Sequence, residues 1–145
     1  MSFTDIDDPT KFFQCTLYSG TGSSQAVTNG GNSDMQPDFV WTKRRDSTSG
    51  HHAHNSVLGA NEYIFPNETA EISTDAQKLV SFNNNGFTVG TNGDANASGG
   101  TFVGWQWKAG TSFSNDASST SIGSIDSAGS FNNDAGFSIV SYTGT

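Results

Sequence analysis

Ten short runs rich in β-branched and aromatic residues, each closed by Gly, Asn, Asp or Ser, divide this chain. They fall at 12–19, 25–28, 37–45, 51–58, 62–65, 79–82, 86–91, 101–108, 120–125 and 137–142. Alternation is clearest in two of them. Val103, Trp105 and Trp107 share one side of a strand, with Phe102, Gly104, Gln106 and Lys108 on the other; Phe39, Trp41 and Lys43 alternate in the same way with Val40, Thr42 and Arg44. These two strands are expected to supply much of the core. Turn signals lie between the runs at 29–32, 83–86 and 91–100, and Asn84-Asn85-Gly86 between Phe82 and Phe87 predicts a hairpin. Helix is expected only at 68–78. Many short strands joined by Gly/Asn turns predict an all-β fold, an antiparallel sandwich or jelly roll.

Composition points the same way. Ser, Thr, Asn and Gly number 21, 16, 13 and 17 of the 145 residues, against three Glu and four Lys, which favours turns and strands over helices. A chain of this length holds one domain with a core, since about two-thirds of its unfolded surface can be buried. The formal charge of −8 removes any general attraction to phosphate backbones or anionic lipid, so neither nucleic acid nor membrane insertion is expected. Residues 1–8 lack the basic start and apolar stretch of a secretion signal, so a soluble protein made in a cytoplasm is expected. Cys15 is alone and sits in an apolar strand pattern, where it reads as a small buried hydrophobe.

The chain also carries an internal likeness. Phe137-Ser-Ile-Val-Ser-Tyr-Thr-Gly-Thr145 overlays Phe13-Gln-Cys-Thr-Leu-Tyr-Ser-Gly-Thr21 with identity at Phe, Tyr, Gly and Thr. A spacing of this size suits one β domain rather than a solenoid repeat. The expected organisation is an acidic N-terminal arm at 1–10, a sandwich at 11–110, a Ser/Asn/Gly-rich linker at 111–135 with one edge strand around Ile122 and Ile125, and at 136–145 the first strand of a following repeat.

Catalytic signatures are sparse. There is no Gly-x-Ser-x-Gly elbow, and none of Glu62, Glu68 and Glu71 has a second acid two residues away in an alternating strand, as a glycosidase pair would favour. No enzyme, cofactor or metal is expected. His52 and His54 share one strand face at a spacing that can chelate a transition metal; without further ligands they read as packed or solvated side chains, and convergence of several chains on a symmetry axis is the metal-binding alternative. Asn92, Asp94 and Asn96 alternate oxygen-bearing side chains as in a calcium loop but lack the completing Glu, so a turn is the simpler reading. Asn84, Asn85, Asn92, Asp94 and Asn96 are the loop residues suited to contacting a glycan or partner. Lys43, Arg44 and Arg45 hold half the basic charge and read as a solvated strand end, or as a grip for an acidic arm carrying Asp5, Asp7 and Asp8 on a neighbouring subunit. Trp41, Trp105 and Trp107 read as core, with a sugar-stacking platform as the alternative.

Several strings together resemble one family. Asp7-Asp-Pro9, Phe13-Gln14, Leu17-Tyr-Ser-Gly-Thr-Gly22, Met35-Gln-Pro-Asp-Phe-Val-Trp-Thr-Lys-Arg44, Asn55-Ser-Val-Leu-Gly-Ala60, Ser81-Phe-Asn-Asn-Asn-Gly-Phe-Thr-Val-Gly90, Phe102-Val-Gly-Trp-Gln-Trp-Lys-Ala-Gly110 and Gly136-Phe-Ser-Ile-Val-Ser-Tyr-Thr-Gly144 resemble a domain repeated in virion structural proteins of marine tailed phages, cyanophages included. The resemblance implies a concanavalin-like sandwich, often in tandem, on tail fibres or other appendages, with the last string opening the next copy. Asn55 and Leu58 stand where the family often has an acidic and a basic residue, so an ion pair there is missing. The expected role is the particle-anchored N-terminal part of a tail-fibre-like host-recognition appendage. A carbohydrate-binding module touching host glycans, or a capsid decoration protein, are the alternatives. Expected partners are other virion proteins, a host surface glycan and further copies of the chain, a trimer being favoured. No active site is transferred by the resemblance.

Overall fold

A computed structural model describes residues 6–144. Nine strands build a two-layer antiparallel sandwich: β1 (Phe13–Ser19), β2 (Gln25–Thr28), β3 (Phe39–Arg44), β4 (His51–Asn55), β5 (Gly59–Ile64), β6 (Ser73–Thr74), β7 (Leu79–Asn83), β8 (Gly86–Val89) and β9 (Thr101–Trp107). One layer is a six-stranded sheet in the order β1-β9-β3-β4-β5-β6, and the other is a three-stranded sheet in the order β2-β8-β7. The core between them gathers Val27, Val40, Leu79, Phe87 and Val89, with Ala95 from the single helical turn α1 (Gly93–Asn96) closing one end. Phe87 presses so close to β9 that a Cβ on Gly104 would lie 2.8 Å from its ring, and the absence of one at Gly104 lets the two layers approach. The hairpin expected at 84–86 forms, with Asn83 paired to Gly86 across the two-residue turn Asn84-Asn85.

Pairing registers fix which residues share a side. Thr42 faces His52 and Gly104 across its two neighbours, and Val40 faces His54 and Gln106; these side chains point to the core. Trp41 faces Ala53 and Trp105, and Phe39 faces Trp107, so all three tryptophans project from the other side of the sheet. The tryptophan side is therefore the outer one. The expected alternation is present, but the core takes the Phe102/Gly104/Gln106 side.

Two further expectations are corrected. Residues 68–78 form no helix: they hold the short strand β6 and a turn, Lys78 N bonding to Asp75 O at 3.3 Å. Thr and Ser there favour extended backbone, and Asp75 caps the turn by accepting from Gln77 N at 2.7 Å. The stretch 111–135 is not a linker with a strand around Ile122 and Ile125. It carries β10 (Thr111–Asn115), the helical turn α2 (Ala117–Thr120) and β11 (Ser127–Asn132), while Ile122 and Ile125 lie between elements. Asp116 caps α2 by accepting from Ser118 N and Ser119 N, and Asn115 holds Ile122 O, so side-chain bonds shape the loop that was expected to pair. The strand expected at 137–142 is β12 (Phe137–Tyr142), which pairs with β11 to complete a three-stranded sheet in the order β10-β11-β12. Phe137 lays this sheet on the outer face of the sandwich, 6.0 Å from Trp107 and 6.1 Å from Phe39 between ring centres.

Candidate binding surface

The polar residues singled out as candidates are mostly structural. His52 and His54 do share a strand face, but it is the inner one, and each is only 1% exposed. His52 accepts a hydrogen bond at Nε2 from Lys78 Nζ at 2.8 Å, and His54 donates from Nδ1 to Ala60 O at 2.8 Å. Burial pushes both imidazoles down to about 4, assisted at His52 by the adjacent Lys78 charge, so both are neutral at pH 7. Enclosure between two sheets rules out their meeting at an axis between chains, which corrects that alternative. Among the described residues no group of three or more His, Cys, Asp or Glu is placed to hold a metal ion.

Lys78 is the unexpected member of this cluster. Its ammonium is buried over the rings of Tyr63 at 4.5 Å and Phe65 at 5.5 Å, and pairs with Asp94 Oδ2 at 3.5 Å. Cation–π attraction, the carboxylate and the neutral imidazole together offset its desolvation.

The loop residues proposed for a ligand are also occupied. Asn96 is fully buried: its Oδ1 accepts from Thr21 N and Gln25 Nε2, and its Nδ2 donates to Ser23 O and Gly90 O. Asn92 caps α1 through Asp94 N and donates to Asp75 Oδ2. Asn85 ties Met35 N to Asp34 Oδ1, leaving Asn84 as the exposed tip of its hairpin. Asp94 is half-exposed beside Lys78. Three of the five thus spend their hydrogen bonds inside the fold.

The basic trio reads as a structural strand end. Lys43 Nζ donates to Arg44 O and Ser47 O, Arg44 pairs with Asp46 at 2.7 Å, and Arg45 is exposed. On the acidic side, Asp8 caps the short 3-10 turn Pro9–Lys11 and accepts from Thr10 Oγ1 at 2.6 Å and Ser33 Oγ at 2.7 Å, bonds that hold its carboxyl below the usual range. Asp8 therefore pins the start of the sandwich. Asp7 is exposed, and Asp5 lies outside the described residues.

What remains open is the outer face of β1, β9 and β3. Trp105 sits between Cys15 on β1 and Trp41 on β3, with the two indoles edge to face at 5.8 Å. Trp41 Nε1 donates to His51 Nδ1 at 3.0 Å, which fixes the ring's orientation. Cys15 is exposed here rather than buried, because β1 is the sheet's edge and the cysteine points outward. Leu17 is 61% exposed and Phe13 40% exposed on the same strand. Phe137 of the C-terminal sheet packs on Phe39 and Trp107, while Trp41 and Trp105 stay half-buried and Leu17 beside them is exposed.

Asp38 is the residue that sequence reasoning missed most completely. Its Oδ2 accepts from Ala109 N at 2.9 Å and Gly110 N at 2.7 Å, and its Oδ1 from Ser56 Oγ at 2.9 Å, so one carboxylate ties the Gln-Pro-Asp-Phe-Val-Trp string to the Trp-Lys-Ala-Gly string. A family model described as "Domain of unknown function (DUF7483)" matches residues 8–145. The chain belongs to the DUF7483 family. No curated protein and no solved structure matches it. The DUF7483 span starts at the capping residue Asp8 and takes in β10–β12 together with the sandwich.

Proposed function

We propose that this DUF7483 chain is a structural module of a bacteriophage virion, built into a tail-fibre-like host-recognition appendage, and that it works by binding rather than catalysis. Its outer aromatic face is the surface by which it joins a neighbouring virion protein. The observation that carries the reading is the division of labour in the six-stranded sheet: polar side chains on the inner side are mostly engaged in holding the fold, while Trp41 and Trp105 stand outward, half-buried, beside the exposed Leu17. The strings at 35–44 and 102–110, with their likeness to marine phage virion domains, support the same reading. A sandwich whose single cysteine leaves no disulfide within the chain, held instead by packing and hydrogen bonds, suits an appendage, where repeated copies add weak contacts.

A second reading is favoured by the Trp41–Trp105 pair itself. Two outward indoles, one oriented by His51, are what sugar stacking requires, and in this reading the same face binds a host surface glycan. The two readings share a surface and differ in its occupant. Reconstruction of particles carrying the protein tests the first: density for residues 6–144 at the tail supports the appendage, density over the capsid lattice replaces it with a decoration protein, and absence from particles overturns the virion reading. Retention on host polysaccharide that is lost in Trp105→Ala supports the second.

A further inference from the structure

The likeness between β12 and β1 has a physical basis in the slot that β1 occupies. The slot meets each of the four identical positions directly, while its bonds to Gln14 and Thr16 fall on positions that differ. Phe13 packs on Trp107 at 4.9 Å between ring centres, and Phe137 packs on the same indole from the C-terminal sheet. Tyr18 stacks on Phe102 at 5.1 Å, meets Phe87 edge-on at 5.9 Å, and donates its hydroxyl to Ala95 O at 2.8 Å. Gly20 leaves no room for a Cβ, which would overlap the Ala97 carbonyl. Thr21 donates its backbone N–H to the buried Asn96 Oδ1.

Phe137 apart, the matching side chains on β12 lack such surroundings. Tyr142, at the place of Tyr18, is 67% exposed, and Val140, at the place of Thr16, is 52% exposed. Among the described residues β12 pairs only with β11, so one edge is open. A strand with an open edge, exposed Val and Tyr on one face and the sequence pattern of β1 is a template for pairing with another chain.

We propose that β12 of one copy enters the β1 slot of a second copy, beside β9 and over Phe102, joining chains head to tail. The contact is heterologous, so successive copies extend rather than close unless the rotation brings them round. Within one molecule β1 holds the slot against β12, because Gln14 donates to Thr10 O and Ser33 O and accepts from Gly31 N, bonds that Ser138 at the same place cannot supply. Exchange therefore grows when β1 is weakened or the local concentration of copies is high. The inference does not depend on the virion reading.

Trapping tests it on the full chain. In β1 Ser19 lies opposite Thr101, and Thr143 stands at the place of Ser19. A Cys15→Ser, Thr101→Cys, Thr143→Cys chain is made in light and heavy isotopic forms, mixed at high concentration and oxidised. Disulfide-linked heavy–light dimers are expected by mass spectrometry. Adding Tyr18→Ala raises their yield about tenfold, and adding Tyr142→Ala instead lowers it by a similar factor. Absence of heavy–light dimers, or a yield indifferent to Tyr142→Ala, overturns the proposal. Because the Tyr142→Ala comparison leaves β1 intact, it decides the matter even if Tyr18→Ala fails to fold.

Discussion

The two faces of the six-stranded sheet invert the usual distribution of side chains. The inner face carries Gln14, Gln106, Thr42, His52 and His54 among its apolar residues, and the outer face carries three tryptophans, Phe13, Phe39 and Leu17. Polar groups are tolerated inside because most of them find partners. Gln106 Nε2 donates to Asn29 Oδ1 at 2.5 Å, and Thr16 Oγ1 donates to the same oxygen at 2.9 Å. Among the described residues only Thr42 Oγ1, His52 Nδ1, Gln106 Oε1 and Ser130 Oγ are buried side-chain polar atoms without a hydrogen-bond partner. The outer face needs no such network, since its side chains are mostly apolar: Phe137 packs on one end, and the other sets half-buried indoles beside the exposed Leu17. An aromatic strand pattern thus identifies two faces but does not say which one is the core.

That contrast can be broken most forcefully from the inside. Phe87→Ala removes the ring that fills the space beside Gly104, and a loss of about 4 kcal/mol in unfolding free energy is expected from chemical denaturation. Near-wild-type stability would mean that the layers do not meet there.

Acid should weaken the inner face before it affects the carboxylates. The folded imidazoles of His52 and His54 sit at about 4 against 6.5 in an unfolded chain, so the unfolded state binds protons first. Stability is full above pH 6.5 and falls as pH drops through 6.5 toward 4, on the order of 3 kcal/mol for one histidine. Asp8, Asp46 and Asp116 are lowered by hydrogen bonds from Thr10, Arg44 and Ser118 respectively, so their contribution is lost only below about pH 4. Urea midpoints between pH 7 and 4 should show the fall, and His52→Gln should flatten it; a flat wild-type profile would place the histidines in water.

Asn96→Ala strips partners from Thr21, Gln25, Ser23 and Gly90 at once, and about 2 kcal/mol is the expected cost in denaturant. The outer face gives the smallest effect. Trp105→Ala removes a half-buried ring at the sheet's outer side, and a loss of about 1 kcal/mol is expected by the same assay. A loss as large as that of Phe87→Ala would make the outer face a second core.

Much of the fold was legible because strands with bulky alternating residues announce themselves: 25–28 and 137–142 match the observed strands residue for residue. β10 and β11 were not legible, since Ser, Asn, Gly and a single Phe in each give little alternation, and Phe113 meets Phe131 only after the strands pair. The site was legible in its residue types and not in its direction. Period two assigns Trp41 and Trp105 to one side, but solvent or core is decided by which side β2, β7 and β8 cover. The buried Lys78 left no local signal, because its partners His52, Tyr63 and Asp94 come from three other segments.

The most direct test of the outward aromatic face as the working surface is the Trp41→Ala/Trp105→Ala chain, followed both by denaturation and by its incorporation into particles during infection. A cooperative fold with a modest fall in midpoint, together with loss of incorporation, is the expected result. Wild-type incorporation with the same fold would contradict it.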